Sequence, residues 1–228
     1  MTENTQKAEA SVFELIRSDI LNGTIEPGSK LSINNLTQSY KTSAAPVREA
    51  LSRLDGEGLI TRKGLRGYWA APISKDEFID VSRLRLMLEV DAFRQSIVHG
   101  DLGWEANIAG ARHREMSIKK LAQESSEDMS AELNRENRLF HMALIANCPS
   151  AWQLKFISTL YDQSERFRRL SLNTLAKKGE ANKTSNKTDE HGAIVDAAFR
   201  YDAETACQLL HQHIERSNQL VLDTVFPE

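Results

Sequence analysis

Residues 46–70 read PVREALSRLDGEGLITRKGLRGYWA, and the period of the apolar side chains changes in the middle of that run. Val47, Ala50, Leu51 and Leu54 recur at helical spacing. Pro46 is compatible with a helix because it falls in the first turn, where its missing N–H has no intrahelical partner to lose. Gly56 and Gly58 end the helix. Leu59–Lys63 and Gly67–Ala71 then read as short strands around a tip at Gly64–Leu65–Arg66. Positive charge gathers at the change of period. Arg48 has Ala44, Leu51 and Ser52 as helical neighbours, so no carboxylate is placed to neutralise it. Arg53 differs: Glu49 precedes it by four residues, the favourable order for an intrahelical pair. Arg53 is therefore expected to be structural and Arg48 to be free.

Upstream, residues 10–21 place Phe13, Ile16 and Ile20 on one helical face, widened by Leu15 and Leu21. Asn22–Gly23 stops that helix and Glu26–Pro27–Gly28 makes a turn. Ser32 is a cap for a short helix carrying Ile33, Leu36 and Tyr40, and Ser43 is a second cap candidate. Helix, helix, turn, helix and two-stranded wing is the order of a winged helix-turn-helix, here assigned to residues 1–73. In such a unit the N-terminal part of the second helix of the motif enters the major groove, which directs Arg48 at bases or phosphates. Gly64 and Gly67 allow a tight hairpin that would carry Arg62, Lys63 and Arg66 to a groove. Taken singly, the tip also reads as an ordinary solvated turn. Its nearness to an unpaired helix arginine favours nucleic acid.

After Pro72 the pattern is helical to the end, with helices expected over 75–100, 104–124, 127–147, 150–176, 189–200 and 202–224. The polar tract 177–187 lacks periodicity and reads as a mobile loop. The fold class is mainly α: a winged unit followed by an all-α helical bundle over 74–228.

Composition sets outer limits. The 228 residues are 40% hydrophobic with a mean hydropathy of -0.45, as in an ordinary globular protein. No apolar run is long enough for a spanning helix, and the first residues lack the apolar core of a signal peptide. Cys148 and Cys207 are spaced for neither a zinc knuckle nor a redox pair and read as reduced core thiols. A cytoplasmic location is the expectation. The net charge of -3 hides an asymmetry. Residues 30–70 hold 7 Lys/Arg against 3 Asp/Glu, whereas residues 75–228 hold 20 against 24. A basic first part on an acidic remainder points to a polyanionic partner for the first part.

The acidic part carries a second pattern. His141 shares a helical face with Leu133, Asn137 and Leu144, and His191 shares one with Ile194, Val195 and Ala198. In the last helix His213 is in register with Ala206, Leu210 and Leu220, while His211 falls with Glu204 and Asn218 on the solvated side. Three histidines and an asparagine thus point inward. Buried imidazoles need polar partners. A divalent ion such as Zn²⁺ would unite three imidazoles and an oxygen, with room for water or a carboxylate. Separate backbone partners for each histidine are the alternative.

The segments Ile20–Leu31, Pro46–Leu51, Glu57–Ile60 and Arg66–Gly67 together resemble the N-terminal domain of GntR-family bacterial transcription regulators. The resemblance implies a homodimer on a near-palindromic double-stranded operator, with contacts at Asn34, Ser43, Ala44, Arg48, Arg66 and Gly67; Lys63 joins them from the basic wing. The family pattern Ser-Arg-Thr is replaced by Ser43–Ala44–Ala45, so Ala44 lacks a guanidinium that could read guanine. This implies a different preferred site, or weaker binding supported by phosphates. Asn137–His141, Glu190–Ile194 and the His213 region resemble the FadR-type C-terminal (FCD) domain. In its metal-binding branch the ion would be held by Asn137, His141, His191 and His213, with Asn137 in place of the usual Asp. Arg85 and Glu89 resemble that domain's first-helix Arg-x-x-x-Glu, and Arg85 is a second anchor for an anionic effector or a partner of Glu89. The expected function is an effector-responsive, sequence-specific transcription regulator, a repressor more readily than an activator, with a small carboxylate metabolite as effector. A helical ligand-binding protein without DNA binding and a His-based metalloenzyme are the rival readings. The enzyme reading lacks an evident nucleophile or a His-Glu-x-x-His arrangement.

Overall fold

A computed structural model describes residues 11–64, 67–125, 129–178 and 189–227. Arg66, at the expected hairpin tip, and the polar tract from 179 to 188 lie outside the described residues. The chain divides into two compact units, one ending at Ser74 and the other beginning at Lys75.

The first unit contains α1 (Val12–Asn22), β1 (Lys30–Leu31), α2 (Ile33–Ser39), α3 (Ala44–Gly56), β2 (Ile60–Arg62) and β3 (Tyr68–Ala70). Ser11 caps α1 through a bond from the Glu14 N–H, and Gly23 ends it at φ 75°, a left-handed conformation that glycine adopts at low cost. Phe13, Ile16 and Ile20 of α1 pack with Val47, Leu51 and Leu54 of α3 into one core. Burial of each such side chain stabilises by about 1.5–3 kcal/mol. Leu15 departs from expectation: it is 39% exposed and lies outside that core. The Tyr40 hydroxyl bonds to Asp19, and Arg17 pairs with Glu57 at 3.2 Å, tying α1 to α2 and to the end of α3.

The wing has one strand more than expected. Its antiparallel sheet has the order β1-β3-β2, with Lys30 opposite Trp69 and Thr61 opposite Trp69 from the other side. The extra strand is two residues long and carries no readable alternation. It is fixed by backbone bonds from Gly28 N–H to Ala70 O (3.0 Å) and from Ala70 N–H to Ser29 O (2.9 Å).

The second unit contains α4 (Lys75–Val98), α5 (Leu102–Glu124), α6 (Ser130–Leu144), α7 (Ala151–Lys177), α8 (Glu190–Phe199) and α9 (Ala203–Val225). Its core joins Phe93, Ile108, Phe140, Leu144, Ile157, Ile194 and Leu210 from all six helices. The Trp104 indole N–H donates to Leu144 O at 3.1 Å, so the largest side chain of α5 is buried against α6 without an unpaired donor. Each of the last two helices begins at an aspartate whose carboxylate accepts from a first-turn N–H: Asp189 from Gly192 and Asp202 from Thr205.

Candidate functional site

Two clusters of polar side chains stand out, one in each unit. In the winged unit, Arg48 lies in the early turns of α3, is exposed, and among the described residues makes neither a hydrogen bond nor an ion pair. Asn34 is exposed in the first turn of α2. Ser43 stands at the N-cap position of α3 with extended backbone, but its hydroxyl makes no capping bond. The expected side-chain cap is therefore absent, and Ser43 is exposed. Helix N-termini of this kind favour anions such as phosphate. Arg53 corrects a second expectation. Its guanidinium lies 3.7 Å from the centroid of the Phe13 ring and forms no pair with Glu49. Stacking on an aromatic of the core holds it more firmly than a solvated carboxylate would.

On the wing, Lys63 is exposed, and its N–H bonds to Gly67 O at 3.2 Å, closing the hairpin. Gly67 has φ 110°, a conformation from which side chains are excluded by strain rather than by lack of space. Lys30 and Lys63 carry their ammonium groups 5.6 and 5.2 Å from the Trp69 ring centroid, and Arg62 lies 5.3 Å from that of Tyr68. Aromatic rings thus hold three wing cations outside helix α3. Lys30 and Trp69 were not legible as site residues, because their strand pairing brings together positions 39 residues apart in sequence.

In the helical unit, His141, His191 and His213 each offer a ring nitrogen, and these atoms lie within 4.8 Å of one another. His211 faces outward, as its register predicts, with its side chain 46% exposed. Each inward imidazole is held from behind by a carboxylate. His141 Nδ1 meets Glu89 Oε1 at 2.5 Å, His191 Nδ1 meets Glu115 Oε2 at 2.8 Å, and His213 Nδ1 meets Glu190 Oε2 at 2.7 Å. Each carboxylate in turn meets a cation: Arg85 Nε on Glu89 at 2.8 Å, Lys119 Nζ on Glu115 at 2.7 Å, and Arg216 on Glu190 at 3.0 Å. The pattern repeats three times as cation, carboxylate, imidazole. Phe140 stacks on His191 with centroids 4.3 Å apart and fixes that ring's plane.

The protonation that follows is informative. A carboxylate only accepts, so each Nδ1 carries a proton, and burial keeps the His191 and His213 rings neutral, each with a lone pair at Nε2. The Nε2 atoms of His191 and His213 nevertheless face each other at 3.1 Å. Two lone pairs at that distance repel unless a cation lies between them. Burial, the dominant influence, depresses the His191 pKa to about 4 despite Glu115, and it lowers that of His213 further, with the crowding of His141 next in weight. Glu89 is held at about 2, because Arg85 and His141 together outweigh the burial that would raise it. A metal ion satisfies such an arrangement. Zn–N distances of 2.0–2.1 Å place tetrahedral ligands about 3.3 Å apart, near the 3.1 Å between the Nε2 atoms of His191 and His213, while all three ring nitrogens lie within 4.8 Å.

Asn137 lies one turn before His141 on α6, and its Oδ1 accepts from the Tyr161 hydroxyl at 2.8 Å. Arg85 is buried, with NH1 at 3.1 Å from Ser164 Oγ and its guanidinium 4.2 Å from the Tyr161 ring centroid. Of the carboxylates, Glu115 and Glu190 were not singled out from sequence. Glu115 occupies the buried stripe of Trp104, Ile108 and Ala111, and a carboxylate in such a register is the signal that could have found it.

Comparison with known proteins covers both units. Residues 8–68 match the family "Bacterial regulatory proteins, gntR family", and residues 80–216 match the FCD domain. An uncharacterized HTH-type transcriptional regulator, BphR of Paraburkholderia xenovorans (strain LB400), is 36% identical over 96% of this chain and 86% of its own length. The HTH-type transcriptional repressor GlaR of Escherichia coli (strain K12) is 30% identical over 89% of this chain and 90% of its own. Two solved structures share the fold: E. coli McbR/YncC has a TM-score of 0.75 at 20% identity, covering 94% of this chain and 96% of its own. A putative GntR regulator from Rhodococcus sp. RHA1 has 0.72 at 19%, covering 92% and 95%. The chain therefore belongs to the GntR family of DNA-binding transcription regulators, with an FCD domain as its second part, and is not an enzyme.

Proposed function

We propose that the protein is a repressor that binds a near-palindromic operator as a homodimer. Its operator affinity is set by a small carboxylate metabolite, bound beside a divalent metal ion in the helical unit. On the DNA side, Asn34, Ser43, Arg48, Lys63, Arg66 and Gly67 make the contacts. Arg48 serves as the base-reading donor and the wing lysines as phosphate partners. Ala44 contributes no donor, so the preferred operator differs from that of relatives with arginine there. An Ala44→Arg variant is expected to change site preference, and unchanged preference and affinity would count against this assignment.

The observation that carries the metal assignment is the convergence of lone pairs. Three imidazoles, each fixed in one tautomer by Glu89, Glu115 or Glu190, turn their remaining nitrogens toward a common centre. His141, His191 and His213 would hold the ion, Zn²⁺ or a related one, with the neutral amide of Asn137 adjacent. When bound, the ion supplies a Lewis-acidic position for a carboxylate oxygen. Arg85 stands next to this centre, but an effector would have to compete with Glu89 for its guanidinium. The repressor assignment is supported by the likeness to GlaR, and the cytoplasmic location by the DNA it reads.

The test is elemental analysis of the full chain purified without chelator, beside a His141→Ala/His213→Ala variant. About one ion per chain is expected for the first and a large loss for the second; equal metal content in both would end the metal assignment. A gel shift at fixed salt with the protein's own upstream region, with and without small mono- and dicarboxylates, tests the effector. Coupling of about 1–3 kcal/mol, or roughly 5–150-fold in operator affinity, is the expected range.

A further inference from the structure

In the winged unit α1, α2 and α3 end in the same way, on a residue with left-handed backbone. α1 ends on Gly23 at φ 75°, and α3 is followed by Gly58 at φ 71°. Glycine reaches that conformation freely, because it has no Cβ to meet the following carbonyl. α2 differs: after its cap, Tyr40, comes Lys41 at φ 49°. The backbone there closes the helix fully. Lys41 N–H donates to Gln38 O at 3.4 Å, and Thr42 N–H donates to Thr37 O at 3.1 Å. Main-chain atoms alone make these bonds, so glycine would make them without strain. The lysine side chain has to have a use of its own.

Among the described residues one other non-glycine residue, Tyr201, has a positive φ, at 58°. It stands at the same position after α8, where Asp202 N–H donates to Ala197 O at 3.1 Å. There the side chain has an internal use: its hydroxyl donates to Glu105 Oε1 at 2.7 Å, tying the end of α8 to α5. Lys41 has no counterpart to that bond. Its side chain is exposed, and among the described residues its ammonium makes neither a hydrogen bond nor an ion pair.

Its place in the chain supplies the use. Residues 31–47 span α2, the turn and the first turn of α3, and Lys41 is the one charged side chain in that stretch. Lys41 precedes Ala44, where α3 begins, by three residues, or at most about 11 Å of chain. Ala44 and Ala45 are exposed and carry no polar side-chain atom. When the start of α3 enters a major groove about 12 Å wide, the turn before it comes to the groove's edge, where the phosphates lie. A flexible ammonium suits a phosphate as a point charge.

We propose that Lys41 is a phosphate contact of the operator complex, supplying at the leading end of α3 the positive charge that Ala44 lacks. It rests on the DNA-reading assignment above and adds a residue to it. Lys41 anchors the recognition helix without reading sequence. Strained backbone at φ 49° is kept for that contact, as it is at other functional positions in proteins. A cation here also meets the partial negative charge at the end of α2. That effect acts on stability and the phosphate contact acts on DNA binding, so measurement separates them.

Lys41→Gly, Lys41→Gln and Lys41→Arg variants of the full chain provide the test. Each is titrated at several salt concentrations with a duplex from the protein's own upstream region and with a mixed-sequence duplex of equal length. The Gly and Gln variants are expected to bind both duplexes roughly 5-fold more weakly, with the slope of log affinity against log salt reduced by about 1 for each copy bound. Lys41→Arg is expected to keep both affinity and slope. Lys41→Gly should melt at or above the wild-type temperature, since it removes the strain. Unchanged affinity and slope in the Gly and Gln variants would overturn the proposal. A loss confined to one duplex would do the same, because a phosphate contact is blind to sequence. A lower melting temperature for Lys41→Gly with an unchanged slope would assign the lysine to the helix end instead. Arg48→Ala, titrated beside them, keeps the two assignments apart: if it alone loses operator affinity, only the role of Lys41 falls. A wild-type chain that binds neither duplex removes the DNA-reading assignment and the role of Lys41 with it.

Discussion

At the scale of single residues, the cations of the winged unit divide by what already holds them. Arg53 rests on Phe13, and Lys30, Arg62 and Lys63 lie against the wing aromatics. Arg48 has no such partner among the described residues, so its guanidinium loses nothing internal on meeting DNA. Arg48→Ala should therefore cost about 1–3 kcal/mol against the preferred operator while changing non-specific binding much less, the signature of a base contact. Lys63→Ala should weaken specific and non-specific binding alike and reduce the slope of log affinity against log salt by about 1, the signature of a phosphate contact. Titrations of both variants at several salt concentrations check this. A uniform loss for Arg48→Ala would move it to the phosphate class. Arg48→Ala removes no buried area and should leave thermal stability unchanged, whereas Lys63→Ala also loses its contact with the Trp69 ring, worth about 0.5–1 kcal/mol.

At the scale of elements, α8 shows how a cap positions a histidine. Asp189 accepts from Gly192 N–H at 3.0 Å and is also bound by Arg112, whose other nitrogen reaches Glu115 at 2.7 Å. His191 lies between them in sequence and is held by the same Glu115. A Cβ at Gly192 would stand 2.3 Å from Asp189 Oδ2, so Gly192→Ala must displace the cap. The expected cost is about 1 kcal/mol of stability, the usual worth of an N-cap, together with weaker metal retention. Thermal melts and elemental analysis of the variant measure the two effects, and unchanged metal content would uncouple the cap from the site. The same element shows what sequence can and cannot disclose. The register of His191 with Ile194 and Ala198 made its inward direction legible, because helical periodicity is local. Its bond to Glu115 spans 76 residues and depends on how α5 packs against α8, which no local period encodes. The wing repeats the lesson: the β2–β3 hairpin was readable from Gly64 and Gly67, but β1 joins it only through long-range backbone bonds.

At the scale of the whole molecule, a chain with a net charge of -3 keeps a basic unit for its polyanion and spends many of its acidic groups holding buried cations in the other unit. Glu165 is one of these outside the histidine cluster. It is buried, with Oε1 at 2.8 Å from Arg168 NH2 and 2.9 Å from Arg169 Nε, and Arg168 also bonds to Asn134. Burial would raise its pKa, but the two guanidiniums outweigh burial and lower it below the ordinary carboxylate value of 4.5. A carboxyl more acidic in the folded than in the unfolded chain stabilises the fold fully above pH 4.5, where it is ionised in both states. That contribution is lost as the pH falls from 4.5 through the lower folded value. Glu165→Gln leaves the guanidiniums without their buried counter-charge and should cost about 3 kcal/mol at pH 7. Below pH 4.5 the wild-type group protonates on unfolding, so the gap between the two proteins should narrow with each step toward acid. Urea unfolding followed by far-UV circular dichroism at pH 7, 5, 4 and 3 resolves this. A gap that stays constant across the series would mean that Glu165 stabilises by shape rather than by charge.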